Sequence, residues 1–430
     1  MRIAIAGYGI EGTQNLEYFH RKYPNAAFTV LDERRDVDVP EFADTKLGPD
    51  AFDELESYDM VVRTASLSPR KLASARKVWS GTNEFFAECP TQHIIGITGT
   101  KGKGTVCSLI VGMLKAAGKQ VHLVGNIGTP AIGELGKIQP EDIVVFELSS
   151  FQLWDAEYSP HIAVLLGIEP DHLDIHDSMD DYVDAKARLT RFQNAPDVLI
   201  WNPENDIANQ IATRESTAIS TPYLTKFGAY IQDGMFWFRD QRLCALDEIR
   251  IPGLHNQQNA CAAITAASYF ISHDFADAVR AGLHDFEGLP HRLKYVATVD
   301  DVRYYDDSIS TTPGSAIAAI ASFAEPKIII LGGSDKGADY KSIVKNCRDT
   351  ETRVIAIGKT GETIAKLCEE YDVSHVRILG GMPEVTATVR DIAHAGDVVI
   401  LSPASASFDQ YKNYQDRGEQ FVAAVRGLAN

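Results

Sequence analysis

An α/β fold in three segments, each built on a mostly parallel sheet, is what this sequence of 430 residues predicts. Three observations carry the prediction. Short runs of continuously apolar, β-branched residues recur along the chain: RIAIAG, FTVLD, IIGIT, VHLVG, IVVFE, IAVLLG, DVLIW, KIIILGG, RVIAIG and DVVILSP. Runs of that kind suit parallel strands covered on both faces. Helical patterns alternate with them, as right-handed crossovers require. Each of the three segments, 1–90, 91–289 and 290–430, has its own glycine-rich strand-to-helix turns.

In the first segment Gly7-Tyr8-Gly9-Ile10-Glu11-Gly12 follows the strand RIAIA and opens a helix. This is the GxGxxG turn of Rossmann-like nucleotide-binding domains, where glycine lets a phosphate approach a helix N-terminus. Asp32 ends the next strand, where an acidic group meets a ribose in such domains. By itself the turn is also compatible with an NAD-dependent oxidoreductase or with a packing turn that holds no ligand.

The second segment carries the more specific signal. Gly99-Thr100-Lys101-Gly102-Lys103-Gly104-Thr105 lies between the strand IIGIT and the helix GTVCSLIVGMLKAAG. In a loop of this P-loop kind the backbone N–H groups point at phosphate oxygens, and Lys103 reaches the β- and γ-phosphates. A hydroxyl usually follows the lysine and helps to hold Mg²⁺. Here Gly104 intervenes, so Thr105 or a water takes that place. Glu147 ends the strand IVVFE, as the metal-holding acid of such an enzyme does, and His172 stands near the end of another strand. An oxidoreductase would leave this loop and Glu147 unexplained; a P-loop binding protein without catalysis would not. Around Tyr223–Leu246 the pattern changes to short antiparallel strands, YLTKFGAYI, GMFWFRD and RLCAL.

Composition bounds the chemistry. Residues of the apolar class make up 45% and charged residues 23%, the balance of a globular protein. Net charge is 41 − 59 = −18, which speaks against nucleic acid as a partner. The six cysteines form no CxxC pair and no zinc spacing, so reduced thiols are expected. No apolar run reaches the ~18 residues of a membrane span. The N-terminus lacks the layout of a signal peptide. A cytoplasmic monomer acting on small molecules, with no membrane partner, is the expectation.

At GTKGKGT, FELSSFQL, EPDHLD and GLHNQQNACAA the sequence resembles the Mur ligase family, with matches along the whole chain. Folylpolyglutamate synthase shares the ATP loop. ELSSFQL and SPASASFDQYKNYQDRG point within the family to the members that add D-glutamate. The resemblance implies three domains: a Rossmann-like UDP-substrate domain, a central P-loop ATPase-like domain with a small antiparallel sheet, and a Rossmann-like amino-acid domain. It implies ATP-dependent ligation of D-glutamate to UDP-N-acetylmuramoyl-L-alanine, through an acyl-phosphate and a tetrahedral intermediate, in peptidoglycan precursor synthesis. The alternative within the family is L-glutamate or another acidic amino acid. Closure of the third domain about a hinge near Leu289–His291 is also implied.

Residue roles follow from the same resemblance. Lys103 and Thr105 hold the ATP phosphates; two Mg²⁺ ions are held by Thr105, Glu147, His172 and Lys186, the last carbamylated by CO₂. Asn256 and Asn259 meet adenine, and Arg292 and Asp307 the nucleotide. Ile10, Glu11, Asp32 and Arg34 cradle UDP; Ser68, Asn126 and Gln152 face the muramoyl substrate. Thr311, Lys336, Ser407 and Tyr414 bind the incoming amino acid. Departures from the family pattern are Gly104, Arg70 in place of glycine, Tyr414 in place of phenylalanine, and the run Asp307–Pro313, where Ile309 replaces a lysine.

Overall fold

The computed structural model describes residues 1–214, 218–335 and 337–428, which form two compact units. The first comprises Met1–Glu248 and Gln258–Asp285; the second comprises Ile249–Gln257 and Phe286–Asn430.

The first unit holds three sheets. Strands β1 (Arg2–Ala6), β2 (Ala27–Asp32), β3 (Ala43–Leu47), β4 (Met60–Arg63) and β5 (Val78–Ser80) make a parallel sheet in the order β3-β2-β1-β4-β5. Strand order reverses between β1 and β4, so the crevice beyond β1 is where an open α/β sheet takes a ligand. The second sheet is also parallel. It consists of β6 (Ile94–Thr98), β7 (Val121–Gly125), β8 (Ile143–Glu147), β9 (Ile162–Leu165), β10 (Val198–Trp201) and β11 (Ile219–Pro222), ordered β11-β10-β9-β6-β8-β7. All five residues of β6 and of β8 are buried, which is why their sequences read as unbroken apolar runs. Strands β12 (Ala229–Gln232), β13 (Met235–Phe238) and β14 (Gln241–Ala245) form the expected antiparallel sheet.

The second unit has one mixed sheet of β15 (Lys294–Val299), β16 (Val302–Asp306), β17 (Lys327–Gly332), β18 (Arg353–Ile357), β19 (His375–Arg377) and β20 (Val398–Leu401). The order is β15-β16-β20-β17-β18-β19, antiparallel only between β15 and β16. Because β20 lies between β16 and β17, the loops that leave these three strands emerge side by side.

All ten apolar runs read from the sequence are strands. Strands β3, β4, β5, β11, β15, β16 and β19 are further ones that the pattern did not give. Most of these are short or alternate with polar residues; β3 reads ADTKL and β19 only HVR. Among the described residues no helix is long and apolar enough to cross a membrane.

Candidate active site

The phosphate loop leaves β6 at the centre of its sheet. Gly102 has φ +84, a left-handed conformation, and a Cβ there would collide with the Asn259 amide oxygen. Glycine is therefore required, and the helix Lys103–Ala116 begins directly after it. Thr100 is fixed from two sides: its hydroxyl donates to the Glu169 carbonyl at 3.0 Å and lies 3.0 Å from the Tyr182 hydroxyl. Lys101 is exposed and reaches Glu169 at 3.2 Å. Thr105 and Gly104 lie buried in the first helical turn.

Two lysines converge on one carbonyl. Lys103 Nζ donates to Gly99 O at 3.0 Å and to Thr100 O at 3.1 Å; Lys186 Nζ donates to the same Gly99 O at 2.8 Å. Lys186 is 1% exposed and lies over the Tyr182 ring. Burial, then the neighbouring Lys103 charge, pushes its amine well below the usual lysine range, against a weaker pull from Asp171 and Glu147. A lysine at the surface of a helix would look the same in sequence; burial is what sets this one apart.

Parallel pairing sets Ile97 of β6 opposite Glu147 of β8, so the Glu147 carboxylate stands beside the phosphate loop. Glu147 is buried, and the Asn126 amide donates to its Oε1 at 2.9 Å. His172 has φ +54, is half exposed, and packs its ring on Phe151 at 4.9 Å. Among the described residues no three His, Cys, Asp or Glu side chains gather as a ready-made metal cluster. That donor set still fits Mg²⁺, which takes one or two carboxylates together with phosphate oxygens and water.

Ile10, Glu11, Asp32 and Arg34 gather at the end of the first sheet. Ile10 is 79% exposed at the start of the helix Ile10–Lys22. Asp32 accepts from Tyr8 N–H at 2.7 Å and from the Arg34 guanidinium at 2.9 Å, which lowers its carboxyl to about 2. Glu11 accepts from Ala65 N–H, and burial raises its carboxyl. Ser68 accepts from Arg70 N–H, and Arg70 itself pairs with Asp177 and Asp181. Gln152 is engaged in capping: its Oε1 accepts from Ser149 N–H at 2.9 Å.

In the second unit Asn256 donates to Pro252 O at 2.6 Å. Asp307 accepts from Leu293 N–H at 3.1 Å and from Ser402 Oγ at 2.7 Å; burial raises its carboxyl to about 6 in spite of nearby Arg292. Thr311 is exposed, Ser407 is buried, and Tyr414 starts the last helix with its ring edge-on to His291. Lys336 lies outside the described residues.

Three groups here had no signal in the sequence. Arg63 is fully buried and pairs with Asp155 at 2.5 Å. His176 joins Asp181 at 2.9 Å and Ser150 at 3.1 Å. Arg417 is fully buried beneath the loops of the second unit. Arg63 and Arg417 are bound by residues remote along the chain, and only the fold brings them together; His176 has a local partner in Asp181 and a more distant one in Ser150.

Comparison with known proteins is consistent with this arrangement. Residues 97–267 match the Mur ligase middle domain, and residues 291–405 match the Mur ligase, glutamate ligase domain. The UDP-N-acetylmuramoylalanine--D-glutamate ligase of Acetivibrio thermocellus is 34% identical, covering 99% of this chain and 96% of that protein. The ligase of the same name from Symbiobacterium thermophilum is 37% identical over 89% of this chain and 87% of its own length. In fold the chain is similar to UDP-N-acetylmuramate-alanine ligase MurC of Thermotoga maritima (TM-score 0.61, 16% identity, 99% of each chain). It is likewise similar to MurF ligase of Thermotoga maritima, solved in complex with ADP (TM-score 0.58, 16% identity, 99% of this chain and 95% of that one). The chain belongs to the Mur ligase family, among the relatives named UDP-N-acetylmuramoylalanine--D-glutamate ligase.

Proposed function

We propose that this chain joins D-glutamate to UDP-N-acetylmuramoyl-L-alanine at the expense of ATP, in peptidoglycan precursor synthesis. The observation that carries the reading is the phosphate loop with two lysines on one carbonyl, set beside the buried Glu147. Residues 1–90 would take the nucleotide-sugar, 91–289 the ATP and 290–430 the amino acid. The chain would act in the cytoplasm as a monomer.

The chemistry needs activation, because a carboxylate is a poor acyl donor. A carboxylate oxygen of the acceptor attacks the γ-phosphorus; the new O–P bond forms as the bond to the bridging oxygen breaks, and ADP leaves. The amine of glutamate then adds to the carbonyl carbon of the acyl-phosphate. The tetrahedral intermediate expels phosphate, and the amine gives up a proton. Two anions must approach each other in the first step, so positive charge has to be in place beforehand. Lys103 supplies it from the loop, and the helix N-terminus behind Gly102 adds its N–H groups. Asn259, against Gly102, and Asn256 would hold adenine; Arg292 and Asp307 would hold the rest of the nucleotide.

Bound Mg²⁺ supplies charge neutralisation at the phosphates. Thr105, Glu147 and His172 would hold it, together with a modified Lys186. The environment of Lys186 favours the neutral amine, the form that attacks CO₂. Forming the N–C bond and losing the proton converts it to a carbamate, an anion able to bind the metal.

On the substrate side, Ile10, Glu11, Asp32, Arg34 and Ser68 would receive the nucleotide-sugar, with Asn126 and Gln152 nearer the reacting carboxylate. Thr311, Lys336, Ser407 and Tyr414 would receive the amino acid, which as a dicarboxylate needs a cation and several donors. L-glutamate is the second reading, because the loop Asp307–Pro313 beside Thr311 carries Ile309. Phosphate release from ATP, measured with the acceptor and D-glutamate, L-glutamate or no amino acid, tests the proposal. Release with D-glutamate alone is expected; release with L-glutamate alone moves the specificity, and release with neither refutes the ligase.

A further inference from the structure

Arg417 lies in the first turn of the helix Tyr414–Leu428 with no exposed surface. Burying a guanidinium costs several kcal/mol unless its donors are all met. Its bonds go to oxygens of loops rather than to a carboxylate. Nε donates to Ser308 Oγ at 2.9 Å and Nη2 to Ser308 O at 2.7 Å; Nη1 donates to Ser405 O at 3.0 Å and to Ala406 O at 3.3 Å. Ser308 Oγ in turn donates to Tyr414 O at 2.9 Å. The loop after β17 joins the same cluster, because Ser334 N–H donates to Ala406 O at 2.8 Å. Gly333 there has φ +152, and a Cβ would collide with Ala406 O and lie 3.2 Å from Arg417 Nη1.

Three segments thus meet at one guanidinium, the loop after β17 is bonded to one of them, and the three carry Thr311, Ser407 and Tyr414 of the proposed amino-acid set. The loop after β16 holds Ser308 and, three residues on, Thr311. The loop after β17 holds Gly333 and Ser334. The loop after β20 holds Ser405 and Ala406 and leads to Ser407. The last helix starts at Tyr414. We propose that Arg417 is the positioning residue of the amino-acid pocket: its forked bonds hold the loops after β16 and β20 in register with the last helix, and its buried charge lies behind the place where a dicarboxylate amino acid docks. This rests on the assignment of that pocket to the amino acid.

The geometry requires the fork as well as the charge. Lysine would keep a charge but supplies no planar pair of donors, so Arg417→Lys is not conservative here. Arg417→Met removes both. Steady-state phosphate release by the full chain, with each substrate varied in turn, reads the effect. The KM for the amino acid is expected to rise about tenfold in Arg417→Lys and further in Arg417→Met, with the KM for ATP and for the acceptor within about twofold of the parent.

A purely structural arginine would lower the melting temperature and leave the ratio of the KM values unchanged; that result overturns the proposal. Ser308→Ala keeps the arginine and removes only the hydroxyl between Nε and Tyr414. If the Arg417 variants do not fold, Ser308→Ala decides: a selective rise of the amino-acid KM supports the proposal, and no selective rise overturns it. The parent protein is run alongside. If its own phosphate release does not depend on an amino acid, the ligase reading fails and the pocket falls with it. If the parent behaves as a ligase and the variants show no selective effect, Arg417's role alone fails.

Discussion

Lys186 in the first unit and Arg417 in the second are both buried cations without a carboxylate bond, and the two meet the cost of burial in opposite ways. Lys186 donates to a single carbonyl and stands next to another lysine, so its environment favours loss of the proton. Arg417 has four bonds to loop oxygens; burial lowers it only to about 10, and it stays charged at neutral pH. Burial shifts the lysine towards the neutral amine, whereas the arginine, with four bonds, keeps its charge and braces the loops around it.

Lys103→Ala removes the phosphate-facing charge of the first unit and is expected to lower ATP-dependent turnover by about 10³-fold or more. Turnover near the parent's would remove the loop from the mechanism. Lys186→Ala is expected to lose on the order of 10²-fold in turnover, and the parent supplied with ¹³C-bicarbonate is expected to show a carbamate carbonyl resonance that the variant lacks. Full activity without that resonance would make Lys186 a packing residue. Lys336→Ala is expected to raise the KM for the amino acid by about tenfold while the KM for ATP stays put, the loss of one charge-assisted contact. A parallel rise of both would take Lys336 out of the amino-acid pocket.

The smallest effect expected is on stability. Asp307 is buried with its carboxyl raised to about 6. The folded state therefore holds a proton that the unfolded chain has already lost. That contribution is complete below the ordinary aspartate range near 4 and is lost as pH rises through about 6, at most about 3 kcal/mol. Asp307→Asn should flatten the fall of stability across that window in chemical denaturation. An unchanged slope would mean that Asp307 ionises normally.

Which parts could be read from the sequence follows from the range of the interactions. The ten apolar strands were legible because a parallel strand buried on both faces carries its signal locally. Strand β3, with exposed Asp44 and Thr45, and three-residue β5 and β19 carry too little of it. The phosphate loop was legible because Gly102 answers a local backbone demand. Arg417 was not, since Ser308 lies 109 residues away, and neither was Arg63, 92 residues from Asp155. Asn126 and Gln152 were expected to face substrate. Their observed bonds go to Glu147 and to the Ser149 cap, contacts that spacing alone does not reveal.

Oxygen transfer tests whether the acceptor carboxylate is activated as an acyl-phosphate. Acceptor labelled with ¹⁸O in the reacting carboxylate is turned over with ATP and D-glutamate, and the released phosphate is analysed by mass. One ¹⁸O per phosphate formed is the predicted result, because the carboxylate oxygen leaves with the phosphoryl group. Amide formed with unlabelled phosphate would exclude an acyl-phosphate.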